Sequence, residues 1–234
     1  MLNKHIPSHY LPEAARRSPS QFVNPSAVYP APASSSVPES HQYTRLTYLP
    51  IFLKTLSKAM IEWPLFRSSI IPSSVDSKPT LTVRSNADIS IALSTPTGLY
   101  TPTLQGVNAQ SIYSISSQLK HLSHLGRQTP CALSLKEMPK RGGTITVSNV
   151  GAIGQGDFAL PVLVPGGGVA IVAIGSAKWV WDVDRGDGKG ERRLKIGVSW
   201  SGDHRVVEGA ELAAFVECWR SYVESPQRLI GEGI

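Results

Sequence analysis

The sequence predicts an α+β fold, a mixed β-sheet layered with helices. Three observations carry this expectation. Apolar residues recur at helical spacing towards both edges of the compact region, short segments between them alternate or run apolar like strands, and glycines punctuate the C-terminal half. The first segment, residues 1–43, lies outside this pattern. It holds Pro7, Pro12, Pro19, Pro25, Pro30, Pro32 and Pro38 and the run Ser34 to Ser36, and its sparse apolar residues cannot offset chain entropy. A proline- and serine-rich tail, mostly disordered or irregular, is expected there, followed by one domain over residues 44–234.

Within that domain Leu49, Leu53, Leu56, Met60 and Trp63 form a helical stripe, with Pro50 suited to the first turn and Pro64 ending it. Thr80 to Val83 and Asp88 to Leu93 alternate like strands, and Pro96, Gly98 and Pro102 mark a loop after them. A second helix fits Ser111 to Leu125, with Ile112, Ile115, Leu119 and Leu122 on one face and Gly126 as its stop. Thr144 to Val147 and the branched apolar run Val169 to Ile174 read as strands. Trp179 to Val183 and Arg192 to Trp200 read as a hairpin turning at Asp187 to Gly190. A last helix begins after Gly209, with Leu212, Phe215, Val216, Trp219, Tyr222 and Val223 along one face and Pro226 beyond its end.

Composition narrows the function. The 234 residues carry 23 Lys and Arg against 17 Asp and Glu, so the net charge is 23 − 17 = +6, which favours anionic partners at long range. The charges are scattered and do not interleave with aromatic residues, so no nucleic-acid partner is expected. No stretch approaches the ~20 apolar residues of a membrane span, so the chain is expected to be soluble, with no membrane partner. Cys131 and Cys218 have no paired spacing, which excludes a zinc knuckle or a CxxC redox pair, and no metal is expected.

One constellation stands out. The stretch from Ser201 to Gly209 sets His204 between a strand and a helix, with Asp203 before it and Glu208 four residues after it. Imidazole is the natural general base near neutral pH, and a neighbouring carboxylate or carbonyl can fix its orientation. The same acids also suit an ordinary helix entry, where the dipole favours negative charge. Ser199 and Ser201 point to one face of their strand and Trp200 to the other. The chain contains no GxSxG nucleophile elbow, and Gly166 to Gly168 lack a phosphate-loop arrangement.

Asp203-His204-Arg205-Val206-Val207-Glu208-Gly209 resembles the DHRxxDG signature of the 2-oxoacid dehydrogenase complex dihydrolipoyllysine acyltransferases, with Glu208 where the family carries Asp. Gly142-Gly143-Thr144-Ile145-Thr146-Val147-Ser148-Asn149-Val150-Gly151 is similar to the family's GGTxTxSNxG stretch. Ser199-Trp200-Ser201 and Pro161-Val162-Leu163-Val164-Pro165 look most like the branched-chain member.

The resemblance implies a chloramphenicol-acetyltransferase-like, trimer-forming fold and transfer of an acyl group between dihydrolipoyllysine and CoA. It implies His204 as base, Ser148 as oxyanion donor and Glu208 in the place of an assisting acid. Ser94 and Asn149 fall where the family meets CoA. In the family the base and the serine meet across a subunit boundary, and the compartment is the mitochondrial matrix. The start of the catalytic domain, like the lipoyl and subunit-binding domains, has no clear counterpart here. The lipoyl group is therefore expected from another chain or domain, and the partners are a homotrimer or larger core and dehydrogenase-complex subunits. The alternative is a non-catalytic structural relative kept for assembly of the complex core, and a weaker one is a CoA-dependent acyltransferase with another acceptor.

Overall fold

The computed structural model describes residues 37–71, 80–163, 168–184 and 187–232. The tail expected over residues 1–43 lies outside them up to residue 36, as do Val164, Pro165, Gly166 and Gly167. Packing reaches back past Thr44, because Val37, Gln42 and Tyr43 are already buried around a short turn at Glu39–His41.

Helix α1 spans Tyr48–Glu62 and buries Leu53, Leu56 and Met60, the stripe expected of it. It stops where Trp63 N–H returns to the Ala59 carbonyl at 2.9 Å and Pro64 opens a tight turn. Among the described residues, strands β1 (Ser68–Ile71) and β2 (Thr80–Val83) then pair only with each other. The alternation at Thr80 to Val83 therefore belongs to a largely exposed two-stranded ribbon rather than to the core sheet.

The expected strand over Asp88 to Leu93 is two strands. The chain leaves the central sheet after β3 (Ile89–Ile91), and β4 (Leu93–Thr95) folds onto β5 (Gly98–Tyr100), so the expected loop contains a small hairpin. Strand β6 (Thr103–Leu104) returns beside β3, and α2 (Ile112–Gly126) follows, with the Ser111 hydroxyl accepting from Ser114 N–H at 3.1 Å. Gly126 is the last helical residue, but its backbone is not left-handed. A Cβ there would lie 2.7 Å from Leu93, so the glycine lets the helix end approach β4.

The central sheet has the order β6-β3-β7-β8-β9, where β7 is Ile145–Asn149, β8 is Ala170–Asp182 and β9 is Glu191–Gly202. Strands β3, β7 and β8 run parallel, while β6 and β9 run antiparallel to their neighbours. The two strand segments expected at Val169 to Ile174 and Trp179 to Val183 are one strand, irregular in register between Ile174 and Ala177. Its hairpin with β9 turns through positive φ at Asp187, Gly188 and Gly190.

Helix α3 (Gly209–Glu224) completes the layer. Phe66 stacks on Phe215, and Trp200 meets Phe215 and Trp219 edge-on. Ile89, Ile91, Ile145, Val147, Ala170, Val172 and Ile174 form the sheet face under the helices. Each fully buried Leu, Ile or Phe on these faces contributes roughly 1.5–3 kcal/mol of transfer free energy, and this alternation holds helix layer and sheet together. Among the described residues no helix is long and apolar enough to cross a membrane.

Candidate active site

The His204 turn grows directly out of the sheet. Gly202 ends β9 opposite Ala170, and Asp203 N–H continues the ladder by donating to the Val169 carbonyl at 2.8 Å. The Asp203 carbonyl then accepts from Val206 and Val207 N–H, both at 2.9 Å, and closes the turn. The Asp203 carboxylate takes the Arg205 backbone N–H at 3.1 Å and its guanidinium through Nε at 2.9 Å and Nη2 at 2.6 Å. This charged hydrogen bond holds the Asp203 carboxyl below the ordinary carboxylate range. His204 is exposed between the two, on a turn fixed from both sides.

The imidazole lines a cleft of about 830 Å³ between that turn, the β1–β2 ribbon and the stretch before β7. Arg84, Lys140, Arg141 and Arg205 line it together with Asp203, so its charge is strongly positive. Arg84 is braced by the Gly142 carbonyl at 2.7 Å, Asp88 at 3.1 Å and the Ser69 hydroxyl at 3.1 Å. Sequence reading singled out none of Arg84, Lys140 and Arg141. The only local signal is the Lys140-Arg141 pair immediately before Gly142-Gly143.

Ser148 lies elsewhere. Ile145, Ala170 and Gly202 share one row of the sheet, and Ser148, Ala173 and Ser199 share a row three residues away. That is about 10 Å along the strands, and β7 is two strands, roughly another 10 Å, across from β9. His204 lies still further on, beyond Gly202. Within one protomer the hydroxyl and the imidazole therefore belong to opposite ends of the sheet, and Ser148 does not line the His204 cleft.

Asn149 follows Ser148 at the end of β7, and Ser94 sits exposed on β4, past the end of the parallel strand β3. Both lie at the Ser148 end. Glu208 is the N-cap of α3 and shares a capping box with Glu211, its own N–H donating to Glu211 Oε2 at 3.2 Å. Its carboxylate thus sits at the helix entry four residues from the imidazole.

The competing groups are occupied. The Ser201 hydroxyl donates to the Pro161 carbonyl at 2.7 Å, and Trp200 points to the opposite, helix-covered face. Cys218 Sγ lies 3.3 Å from Glu62 Oε2, and burial pushes its thiol up to about 11, with the facing carboxylate adding to the effect, so it is protonated at neutral pH.

Chemically, the site offers an accessible imidazole in a cationic cleft and, at the far end of the same sheet, a hydroxyl on the face away from the helices. The 2-oxoacid dehydrogenases acyltransferase (catalytic domain) family model matches residues 32–231. The lipoamide acyltransferase component of the branched-chain alpha-keto acid dehydrogenase complex of Bos taurus, a mitochondrial protein, is 35% identical over 184 residues, covering 78% of this chain and 36% of that one. The chain therefore spans about a third of that relative's length.

An Azotobacter vinelandii dihydrolipoamide acetyltransferase superposes with a TM-score of 0.68 at 29% identity over 79% of this chain and 71% of its own. That enzyme was investigated for the roles of a serine, a histidine and, a few positions later, an asparagine in its catalytic mechanism. Chloramphenicol acetyltransferase matches with a TM-score of 0.50 at 16% identity over 76% of this chain and 78% of its own, a likeness of fold. A chloramphenicol-acetyltransferase-like α+β core, together with a family match over most of the sequence, leads to one conclusion: this chain belongs to the 2-oxoacid dehydrogenase acyltransferases, through their catalytic domain.

Proposed function

We propose that the chain transfers an acyl group of the branched-chain type between dihydrolipoyllysine and CoA, as a homotrimer within a mitochondrial matrix 2-oxoacid dehydrogenase complex. The identity to the bovine branched-chain component supports the substrate type and compartment. The observation that carries the catalytic reading is the separation of His204 and Ser148 to opposite ends of one sheet. A site needing both is completed only by a second copy.

In this reading His204 takes the proton from the CoA thiol as sulfur attacks the acyl thioester carbonyl of acylated dihydrolipoyllysine. The Ser148 hydroxyl of a neighbouring copy donates to the oxyanion that forms. Collapse expels the dihydrolipoyl sulfur, which recovers the proton from the imidazolium, so acyl group and proton both balance. Arg84, Lys140, Arg141 and Arg205 suit a phosphate-bearing substrate, and Asn149 and Ser94 line the neighbour's share of the CoA path. Glu208 supports the histidine from the helix entry. The lipoyl group arrives on another chain or domain.

Exposed apolar side chains support assembly: Ile153 and Phe158 after β7, Leu160 and Val162 on the segment that runs back past Ser201, and Trp179 and Trp181 on the β8–β9 hairpin.

Subunit mixing tests the shared site. His204→Ala and Ser148→Ala chains, each inactive in acyl-dihydrolipoamide and CoA exchange, are co-expressed and purified as one assembly. Over a random one-to-one mixture about a quarter of all sites recover activity, one in each mixed trimer, those pairing an intact histidine with an intact serine on different copies. An assembly of correct solution mass that stays inactive in the mixture and in the wild type would leave the non-catalytic structural role.

A further inference from the structure

We infer that residues 37–43 form a pH-sensitive strap, held on α2 by a cluster of three imidazoles, His41, His121 and His124, and released when that cluster is protonated. The strap is separate from the acyl-transfer site. Polar ties hold its C-terminal end. Tyr43 N–H donates to the Ser117 hydroxyl at 3.2 Å, and Lys120 Nζ to the Gln42 carbonyl at 2.6 Å. The Tyr43 ring stacks on Tyr113 with centroids 5.7 Å apart.

Beside the buried Val37, Gln42 and Tyr43, a further contact is built from histidines. His41 Nδ1 and His121 Nδ1 lie 2.8 Å apart, a hydrogen bond in which one nitrogen donates and the other must keep its lone pair. The His41 ring also lies against His124, with centroids 4.0 Å apart, and His124 Nε2 accepts from the Gln128 amide at 3.0 Å. A second lone pair is thereby required. With every ring charged neither bond survives, and the His41 charge meets two like charges at ring-centroid distances of 4.0 and 5.0 Å.

The groups around the cluster reinforce this. Lys120 on α2 faces His41, while Lys136 and Glu137, from the segment between α2 and β7, face His121. Glu39 lies on the strap's own turn. The carboxylate of Glu137 is engaged by the Ser134 hydroxyl at 2.7 Å and its N–H at 3.0 Å. Burial holds His41 below the ordinary imidazole value, with His124 and Lys120 adding to the effect. His121 is lowered by burial and by His41, with Glu137 partly opposing. The three rings are not disposed to hold a metal ion together.

The sign follows from linkage. Docking lowers the pKa of His41 and of His121, so docking is fully favoured above the free imidazole value of about 6.5 and is lost as pH falls below it. Each histidine kept neutral by docking weakens it by up to about tenfold per pH unit. Release uncovers the Ser117 side of α2.

Hydrogen exchange of the full chain, corrected for the intrinsic pH dependence, reads this directly. From about pH 7.5 to about pH 5.5 the peptide spanning residues 37–47 should lose protection by about tenfold or more, while α1 stays protected. His121→Gln with His124→Gln keeps hydrogen-bonding groups that do not titrate, and should flatten the response. His41 alone titrating by NMR with a lowered pKa would support the same latch if those variants fail to fold. Equal strap protection at both pH values, loss of protection in strap and α1 together, or an unchanged response in the double variant would each overturn it.

Discussion

The two ends of the central sheet are finished differently. At the end past Gly202 the chain closes a hydrogen-bonded turn, neutralises Asp203 with Arg205, and surrounds His204 with a charged cleft. In the other direction, past Ser148 and Asn149, Ile153 and Phe158 and, further along the β8–β9 hairpin, Trp179 and Trp181 are left facing water. One end is a complete polar device within a single protomer. The other has surface that is favourable only when covered. The contrast teaches that one sheet can present a cationic polar cleft in one direction and exposed apolar surface in the other, acting as the rigid spacer between them.

Substitutions at each end break or sharpen this contrast, and the largest expected effect belongs to the proposed base and oxyanion donor. His204→Ala should lower the acyl exchange rate by at least ~100-fold, the scale of a general base, and Ser148→Ala by ~100- to 1,000-fold, the scale of one oxyanion donor. Both should leave circular dichroism and solution mass unchanged. A Ser148→Ala assembly with full turnover would remove that end from the chemistry.

Next comes the helix entry. Glu208→Ala removes a cap and should cost about 1 kcal/mol in urea unfolding, while Glu208→Gln should recover most of that stability. If the charge itself assists His204, the Gln variant keeps stability but loses rate, which separates the two roles of this side chain.

The smallest effect concerns Arg205. Its hydrogen bonds lower the Asp203 carboxyl, so their stabilising contribution is present above the free carboxylate value and fades as pH falls through the lowered one. Arg205→Gln should lower stability slightly near neutral pH, as expected of an arginine that is mostly exposed, and the difference from the unsubstituted chain should vanish as pH falls through the lowered Asp203 value. A large loss at pH 7 would mean that the turn depends on the pair far more than its exposure suggests.

Much of the fold was legible because its signals are local. The stripes of α1, α2 and α3 and the apolar run opening β8 are patterns within one element. The strands that escaped are two to four residues long, β1, β5 and β6, too short to show a period. Gly126 looked like a helix stop because glycine commonly ends helices, whereas its role is set by Leu93, distant in sequence. His204 was legible as a histidine between strand and helix, but the cations around it come from three separated segments.

By itself, then, the sequence determined the α+β layering, the family, and the turn that presents His204, since hydrophobic periodicity and short motifs act over a few residues. Only the tertiary structure decided that Ser148 stands at the opposite end of the sheet, that Arg84 joins the His204 cleft, and that His41 meets His121 across 80 residues of chain. The physical reason is that strand register and packing set distances between remote residues, and no local pattern encodes which rows of a sheet will align.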